Sequence, residues 1–311
     1  MSRAASATIN YTLTAFAQGH MNDLRAARQI VDALCPTVQV TGASGQFKKF
    51  SDENSFQVYV TDRGLGGTAR RIEFSATDGS FNCKPQALEV TVDNHERDLA
   101  AASGLAPELL DQGKIKGLLG GVALSHVNKI VTFVDANTTP VAGRGEWSNP
   151  DIDPIDQLDE QLELLVTACG SASFITLTMG AGTWRALRNH PKVKARAAGV
   201  KVGGITVDDL RGLLMFPVNV VVGVLSKKTT KPGGANSKAQ VLADVAYLSY
   251  SVPNPTIYDP SPFKCFTTGE NNIEAVRTYR DESARSDVHA VDWSEDPQAV
   301  SSIAIRKLAI T

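Results

Sequence analysis

Apolar and polar positions change period several times along the chain, and each change marks an element. The first residues are polar, and residues 23–34 then read as a short helix that Pro36 stops. From residue 42 to 92 the period falls to two. Phe56, Val58 and Val60 alternate with Gln57 and Tyr59, and Leu88, Val90 and Val92 alternate with Glu89 and Thr91. Between the two runs lies a glycine-rich stretch, residues 63–71, with basic flanks. The pattern predicts a long antiparallel hairpin with little core of its own. An isolated hairpin is marginal in water, so its apolar face is expected to pack on something else, a neighbouring subunit being one candidate. Residues 107–134 carry the longest helical pattern, with Leu109, Leu118, Leu119, Val122, Ile130 and Val131 on one broad stripe and Pro107 in the first turn. Gly117, Gly120 and Gly121 each cost about 1 kcal/mol in a helix interior, so a break or bend is expected there.

Further on, Asp153 caps a helix with Pro154 at its first position and Ile155, Leu158, Leu162 and Leu165 facing inward. Residues 174–179 read as a buried strand, and residues 183–188 as a short helix that ends before His190-Pro191. Thr206 and Asp209 form a capping-box pattern that opens a helix running to Leu214. A valine-rich strand follows over 218–224, then a mobile Lys/Thr/Gly-rich loop over 226–238. Strands at 275–279 and 288–293 flank a charged turn, and Ile303, Ile305, Leu308 and Ile310 close the chain. These last strands are expected to complete the sheet begun earlier, with the middle strand–helix–helix–strand region inserted as a subdomain. The fold class is α+β.

The chain has 311 residues, enough for one large domain or two smaller ones with a sizeable core. Its formal net charge of −2 gives no support for a binder that works by neutralising phosphates. Cys35, Cys83, Cys169 and Cys265 form no CxxC pair, and the five histidines supply no local zinc-ligand pairs, so the cysteines read as structural or free thiols. No apolar run approaches the roughly 18–20 residues of a membrane span, and no secretory signal pattern opens the chain. A soluble product made in a cytoplasm is expected.

Candidate chemistry is sparse. Residues 38–45 end in Gly42-Ala43-Ser44-Gly45, like the opening of a dinucleotide-binding fold, but the third glycine and the following helix are missing. Asp151, Asp153 and Asp156 resemble the start of a calcium loop without its required glycine, and helix capping explains Asp153 better. Ser44 is out of register for a nucleophile elbow, and neither His95 nor His190 has an adjacent orienting carboxylate. Lys48, Lys49, Arg63, Arg70 and Arg71 make the hairpin basic, either as a charged edge that resists aggregation or as a docking surface for an acidic neighbour. Trp147, Trp184 and Trp293 read as core or interface anchors. No enzyme, cofactor or metal is expected.

The order of motifs carries more than any one of them. Gly145-Glu146-Trp147-Ser148-Asn149, then Asp153-Pro154-Ile155, then Leu177-Thr178-Met179-Gly180, then Thr183-Trp184-Arg185-Ala186-Leu187-Arg188-Asn189-His190-Pro191 follow one another in sequence. Over most of residues 40–260 this resembles the tailed-bacteriophage major capsid protein family, with the Hong Kong phage capsid fold. The resemblance implies an N-terminal arm over 1–41, an extended β-hairpin loop over 42–92 and a peripheral domain with a long spine helix over 93–150. It further implies an axial α+β domain over 151–255, and C-terminal strands over 256–311 that return to the peripheral sheet. Trp147, Asp153, Pro154, Trp184, Leu187, His190 and Pro191 would be structural motif residues, and Lys48, Lys49, Arg63, Arg70 and Arg71 extended-loop contacts. The implied function is a major capsid protein that self-assembles through hexamers and pentamers into an icosahedral virion shell around double-stranded DNA. Its partners would be itself, a separate scaffolding protein, a portal and a decoration protein, with packaged DNA close by and no membrane. The hairpin begins within about 40 residues, which leaves no room for a scaffolding segment of about a hundred. Two alternatives stay open: a nanocompartment shell of the same fold, and a nucleotide-dependent enzyme built on Gly42–Gly45.

Overall fold

The computed structural model describes residues 8–9, 25–49, 58, 61–68, 71, 77–104, 106–197, 205–230, 234, 237–257, 259, 261–268 and 275–310. Strand β1 (Thr8–Ile9) precedes helix α1 (Arg25–Leu34) and strand β2 (Thr37–Val40). Strands β3 (Ser44–Lys49) and β4 (Thr77–Asn82) form a hairpin, and β5 (Lys84–Asp93) leads into helices α2 (Asn94–Ala102) and α3 (Pro107–Ala136). The next region runs α4 (Pro154–Cys169), β6 (Ile175–Gly180), α5 (Ala181–Asn189), α6 (Pro191–Ala197), α7 (Val207–Leu213) and β7 (Asn219–Gly223). It closes with β8 (Ser226–Lys228), β9 (Lys238–Gln240) and β10 (Val245–Tyr250). The chain ends in β11 (Phe263–Thr268), β12 (Arg277–Asp281), β13 (Ser286–Ala299) and β14 (Ile305–Ala309).

Two sheets organise these elements. The first has the order β1-β12-β13-β11-β2, with β5 also paired to β13, and only β2–β11 is parallel. The second has the order β14-β10-β6-β7, with β6–β7 parallel. Strand β10 sends Ala246 and Leu248 into a core shared with Leu158 and Leu162 of α4, and sends Tyr247 into another shared with α1 and α3. Period-two alternation therefore buries both faces of the second sheet. On the first face, α4 lies against β10 and β14, while α5 lies against β6 and β7. The other core holds Ile30 and Leu34 of α1, Ile130 and Val134 of α3, and Phe263 and Cys265 of β11. It joins the two sheets.

Local chemistry explains the helix ends. Asp93 caps α2 by accepting from the His95 N–H at 2.7 Å, and Thr206 and Asp209 form the reciprocal capping box of α7. Helix α4 ends at Gly170, whose φ of 66° is the left-handed conformation that glycine adopts without penalty. Helix α3 runs for 30 residues through its glycines without the expected break. A Cβ on Gly113, Gly117, Gly120 or Gly121 would meet nothing within 4 Å, so these residues sit on open flank while Ile115, Leu119, Val122 and Ile130 are fully buried. Packing of that stripe outweighs the propensity cost. By length and composition alone this helix would also pass as a membrane span, which the sequence reading had missed; its buried stripe accounts for the apolar content.

Other expectations need correction. Residues 25–40, read as part of an arm, form α1 and β2, with Ile30, Leu34 and Cys35 fully buried. The hairpin pairing covers Ser44–Asn82, whereas β5 leaves it and pairs with β13 from Lys84↔Glu295 to Asp93↔Ser286. Phe56 and Val60 lie outside the described residues, and Val58 is exposed. The hairpin base does have a core. Phe47 and Phe81 pack on Phe266 of β11 with ring centroids 5.2 and 4.5 Å apart. Cross-strand glycines make room for them: a Cβ on Gly79 would lie 2.5 Å from Phe47 Cζ, and one on Gly45 2.7 Å from Phe81 Cζ. The 226–238 loop begins and ends as the paired strands β8 and β9. The last strand, β14, joins β10 in the second sheet instead of returning to the first. Gly42 and Ala43 connect β2 to β3 with no helix following, which removes the dinucleotide reading.

Phe266 serves as the floor of the hairpin base. Phe266→Ala is expected to lower unfolding free energy by about 3–5 kcal/mol, measured by urea denaturation. An unchanged midpoint would mean that Phe47 and Phe81 draw their support from elsewhere.

Candidate assembly surfaces

Six of the seven motif residues meet in one joint. Asp153 caps α4 by accepting from the Ile155 N–H at 3.0 Å, and its other oxygen accepts from Arg196 of α6 at 2.7 Å. Pro154, at the first helical position, needs no N–H partner. The Trp147 indole N–H and the Gly145 backbone N–H both donate to Gln157 Oε1, each at 3.0 Å. His190 is buried at the α5–α6 corner. Its Nδ1 accepts from the Lys192 N–H, which assigns the proton to Nε2, and Nε2 donates to the Asn149 carbonyl at 3.1 Å. Lys192 Nζ donates to the Asp151 carbonyl. Leu187 is fully buried beside Ile155 and Leu158, and Pro191 opens α6. Trp184 is the exception, half-buried at the rim with Arg185, Arg188, Asn189 and Lys194 around a cavity of about 390 Å³. The joint holds a loop and two helix ends in register; no carboxylate accepts from His190 to orient it as a base.

Gly145 fixes the position of this joint. Its φ is +103°, and a Cβ there would lie 1.9 Å from the Ala309 carbonyl oxygen of β14. Only glycine meets both demands.

Lys48 pairs with Asp78 on the facing strand, while Lys49, Arg63 and Arg71 are exposed with no ion pair among the described residues. Arg70 lies outside the described residues. Within residues 61–68 the Gly67 N–H donates to the Gly64 carbonyl at 3.0 Å, and the neighbouring Leu65 is fully exposed.

Buried charge, which the sequence reading did not single out, ties the elements together. Glu295 of β13 is 1% exposed and pairs with His126 and, at 2.8 Å, with Lys129, both on α3. Burial would raise its pKa, but the two basic partners outweigh that and hold the carboxyl below the usual glutamate range. His126 and Lys129, three apart within an apolar stripe, were the available signal. Arg97 of α2 bridges Asp111 of α3, at 3.0 Å, and Asp287 of β13. Lys264 is fully buried and donates to the carbonyls of Thr256, Ile257 and Asp259 at 2.6–3.1 Å, while burial pushes its pKa down. None of the four cysteines forms a disulfide, and burial pushes the Cys35 and Cys265 thiols up, away from reactivity.

No family model matches the chain. The major capsid protein of Pseudomonas phage JBD67 is 25% identical over 199 residues, which is 60% of this chain and 58% of that protein's own length. The major capsid protein of Burkholderia phage BcepMu is 23% identical over 224 residues, 69% of this chain and 68% of that protein. Among solved structures, a phage-related protein from Bordetella bronchiseptica superposes with a TM-score of 0.72 at 22% identity, covering 98% of this chain and 97% of that one. The bacteriophage PhiM1 mature capsid gives a TM-score of 0.54 at 12% identity, over 91% and 86% of the two chains. The chain has the phage major capsid fold. The SrpI encapsulin of Synechococcus elongatus also shares it, with a TM-score of 0.51 at 11% identity over 91% and 86% of the chains.

Two measurements probe how this capsid fold is held. Gly145→Ala is expected to cost about 2–3 kcal/mol, seen as a lower urea midpoint, because the β14 backbone must move to admit the methyl group. An unchanged midpoint would show that the close approach is dispensable. The Glu295 pair predicts acid sensitivity. A carboxyl whose folded pKa is depressed contributes stability that is present above the ordinary glutamate range and is lost as pH falls through the folded value. Glu295→Gln is therefore expected to destabilise the protein at pH 7 and to flatten the acid limb of midpoint against pH. A variant whose acid limb matches the wild type would remove Glu295 as its source.

Proposed function

We propose that this chain is a major capsid protein, assembling through hexamers and pentamers into an icosahedral shell around double-stranded DNA. One observation carries the reading. Two proteins named major capsid protein align with 60–69% of the chain, and the same chain superposes end to end on phage-type structures. We read the hairpin Ser44–Asn82 as the extended loop, residues 93–150 as peripheral domain with α3 as its spine, and residues 151–255 as the axial domain. The joint around Trp147 and His190 is then the point where the spine region hands the chain to the axial region. Lys49, Arg63 and Arg71 are read as extended-loop contacts to a neighbouring subunit. Assembly in the host cytoplasm, a separate scaffolding protein, a portal, a decoration protein and a final place in the virion belong to the same reading. No catalytic role is proposed.

The encapsulin likeness supports a second reading, a shell around protein cargo. Sedimentation and electron microscopy of the expressed chain test both. Closed shells, or rings of five or six, are the expected outcome, with nuclease-protected DNA in particles from phage-producing cells. Shells that retain protein but no DNA would favour the compartment. A monomer at all concentrations, with or without candidate scaffolding protein, would overturn the assembly reading.

A further inference from the structure

Charge is sorted in blocks within the middle region. Between Gly145 and Trp184 there are seven acidic residues and no lysine or arginine; between Arg185 and Lys201 there are six basic residues and no acid. Part of this charge is neutralised within the subunit, through Arg196–Asp153 and Arg144–Glu160, while Lys192 donates to the Asp151 backbone carbonyl. What remains is two surfaces of opposite charge. Arg185, Arg188 and Lys194 line the cavity beside Trp184 and have no ion pair among the described residues. Asp156 and Glu163 stand exposed along α4 with Leu164, and Met215 lies alongside, its N–H donating to Asp159 at 2.9 Å. Since α4 covers the β14–β10 half of the sheet and α5 the β7–β6 half, the acidic and basic helices sit over opposite halves.

We infer that these faces meet between copies: the Trp184–Arg185–Arg188–Lys194 pocket of one subunit receives the Asp156–Glu163 face of the next. The inference rests on the capsid reading and names the surfaces through which its axial regions would join. Face-to-face pairing of like surfaces would set basic on basic or acid on acid, which costs free energy. Head-to-tail pairing sets opposite charges together and leaves each subunit with one free face of each kind, so the contact repeats until the ring closes. A second copy fits better than a polynucleotide. The chain supplies a matching acidic face itself, and half-exposed Leu164 and Met215 offer apolar contact to an aromatic residue such as Trp184.

Charge reversal on the full chain tests it, with circular dichroism and thermal melts confirming that each variant folds. Arg185→Glu with Arg188→Glu, and separately Asp156→Lys with Glu163→Lys, should each cut the fraction in closed assemblies about tenfold or more. The four changes combined should restore much of it, and raised salt should weaken wild-type assembly. Wild-type assembly by either reversed face, or no recovery in a folded four-fold variant, would overturn the inference. So would a basic-face variant that assembles fully but loses nuclease-protected DNA, which would make polynucleotide the occupant. A wild-type chain that never assembles would overturn the capsid reading along with it, whereas assembly indifferent to all reversals would overturn this contact alone.

Discussion

The layer formed by α1 and α3 is the constraint on which the rest of the structure depends. Ile30 and Leu34 of the short helix and Ile130 and Val134 of the long one share a core with Tyr247 of β10 and with Phe263 and Cys265 of β11. One side of that layer is the first sheet and the other is the second, so the two sheets are held by a common apolar filling. Each side chain of this kind contributes about 1.5–3 kcal/mol when fully buried. The chain crosses between the sheets after α3, after β10 and after β13.

Polar contacts set the geometry within that frame. Glu295 with His126 and Lys129, and Arg97 with Asp111 and Asp287, fasten α3 to β13 along its length. The buried Glu295 pair is a poor source of net stability, because desolvation offsets attraction, yet removing one partner strands the other, and the Arg97 pairs are partly buried. They act as registry pins for the long helix. At the far end, the joint around Trp147 depends on space as well as on hydrogen bonds, since Gly145 must approach the Ala309 backbone more closely than any side chain allows.

Much of the local structure was legible in the residues. Asp153-Pro154, the Thr206–Asp209 capping box and the His190-Pro191 stop each act within one helical turn, and the structure has helix ends at all three. The motif residues Trp147, Asp153, Leu187 and His190 could be picked out in order, but not the joint they build. Its linking atoms, Gln157 Oε1 and the Asn149 carbonyl, carry no sequence signature. Glu295 and Lys264 were illegible for the same reason. A charged residue in a strand reads as solvent-facing until its partners are seen beside it: His126 and Lys129 of the distant α3 for Glu295, and the carbonyls of Thr256, Ile257 and Asp259, a few residues upstream, for Lys264.

By itself the sequence determined the helix ends that caps and prolines mark and the α+β class, because caps, prolines and periods act over a few residues. Only the tertiary structure decided which strands pair. An alternating run such as 88–92 fits a hairpin or a sheet edge equally well, and the last five-residue strand fits either sheet, since period two records a buried face but not the neighbour that buries it. It also decided that α3 stays whole, because the packing of a buried stripe, unlike the propensity of its glycines, depends on atoms from across the chain.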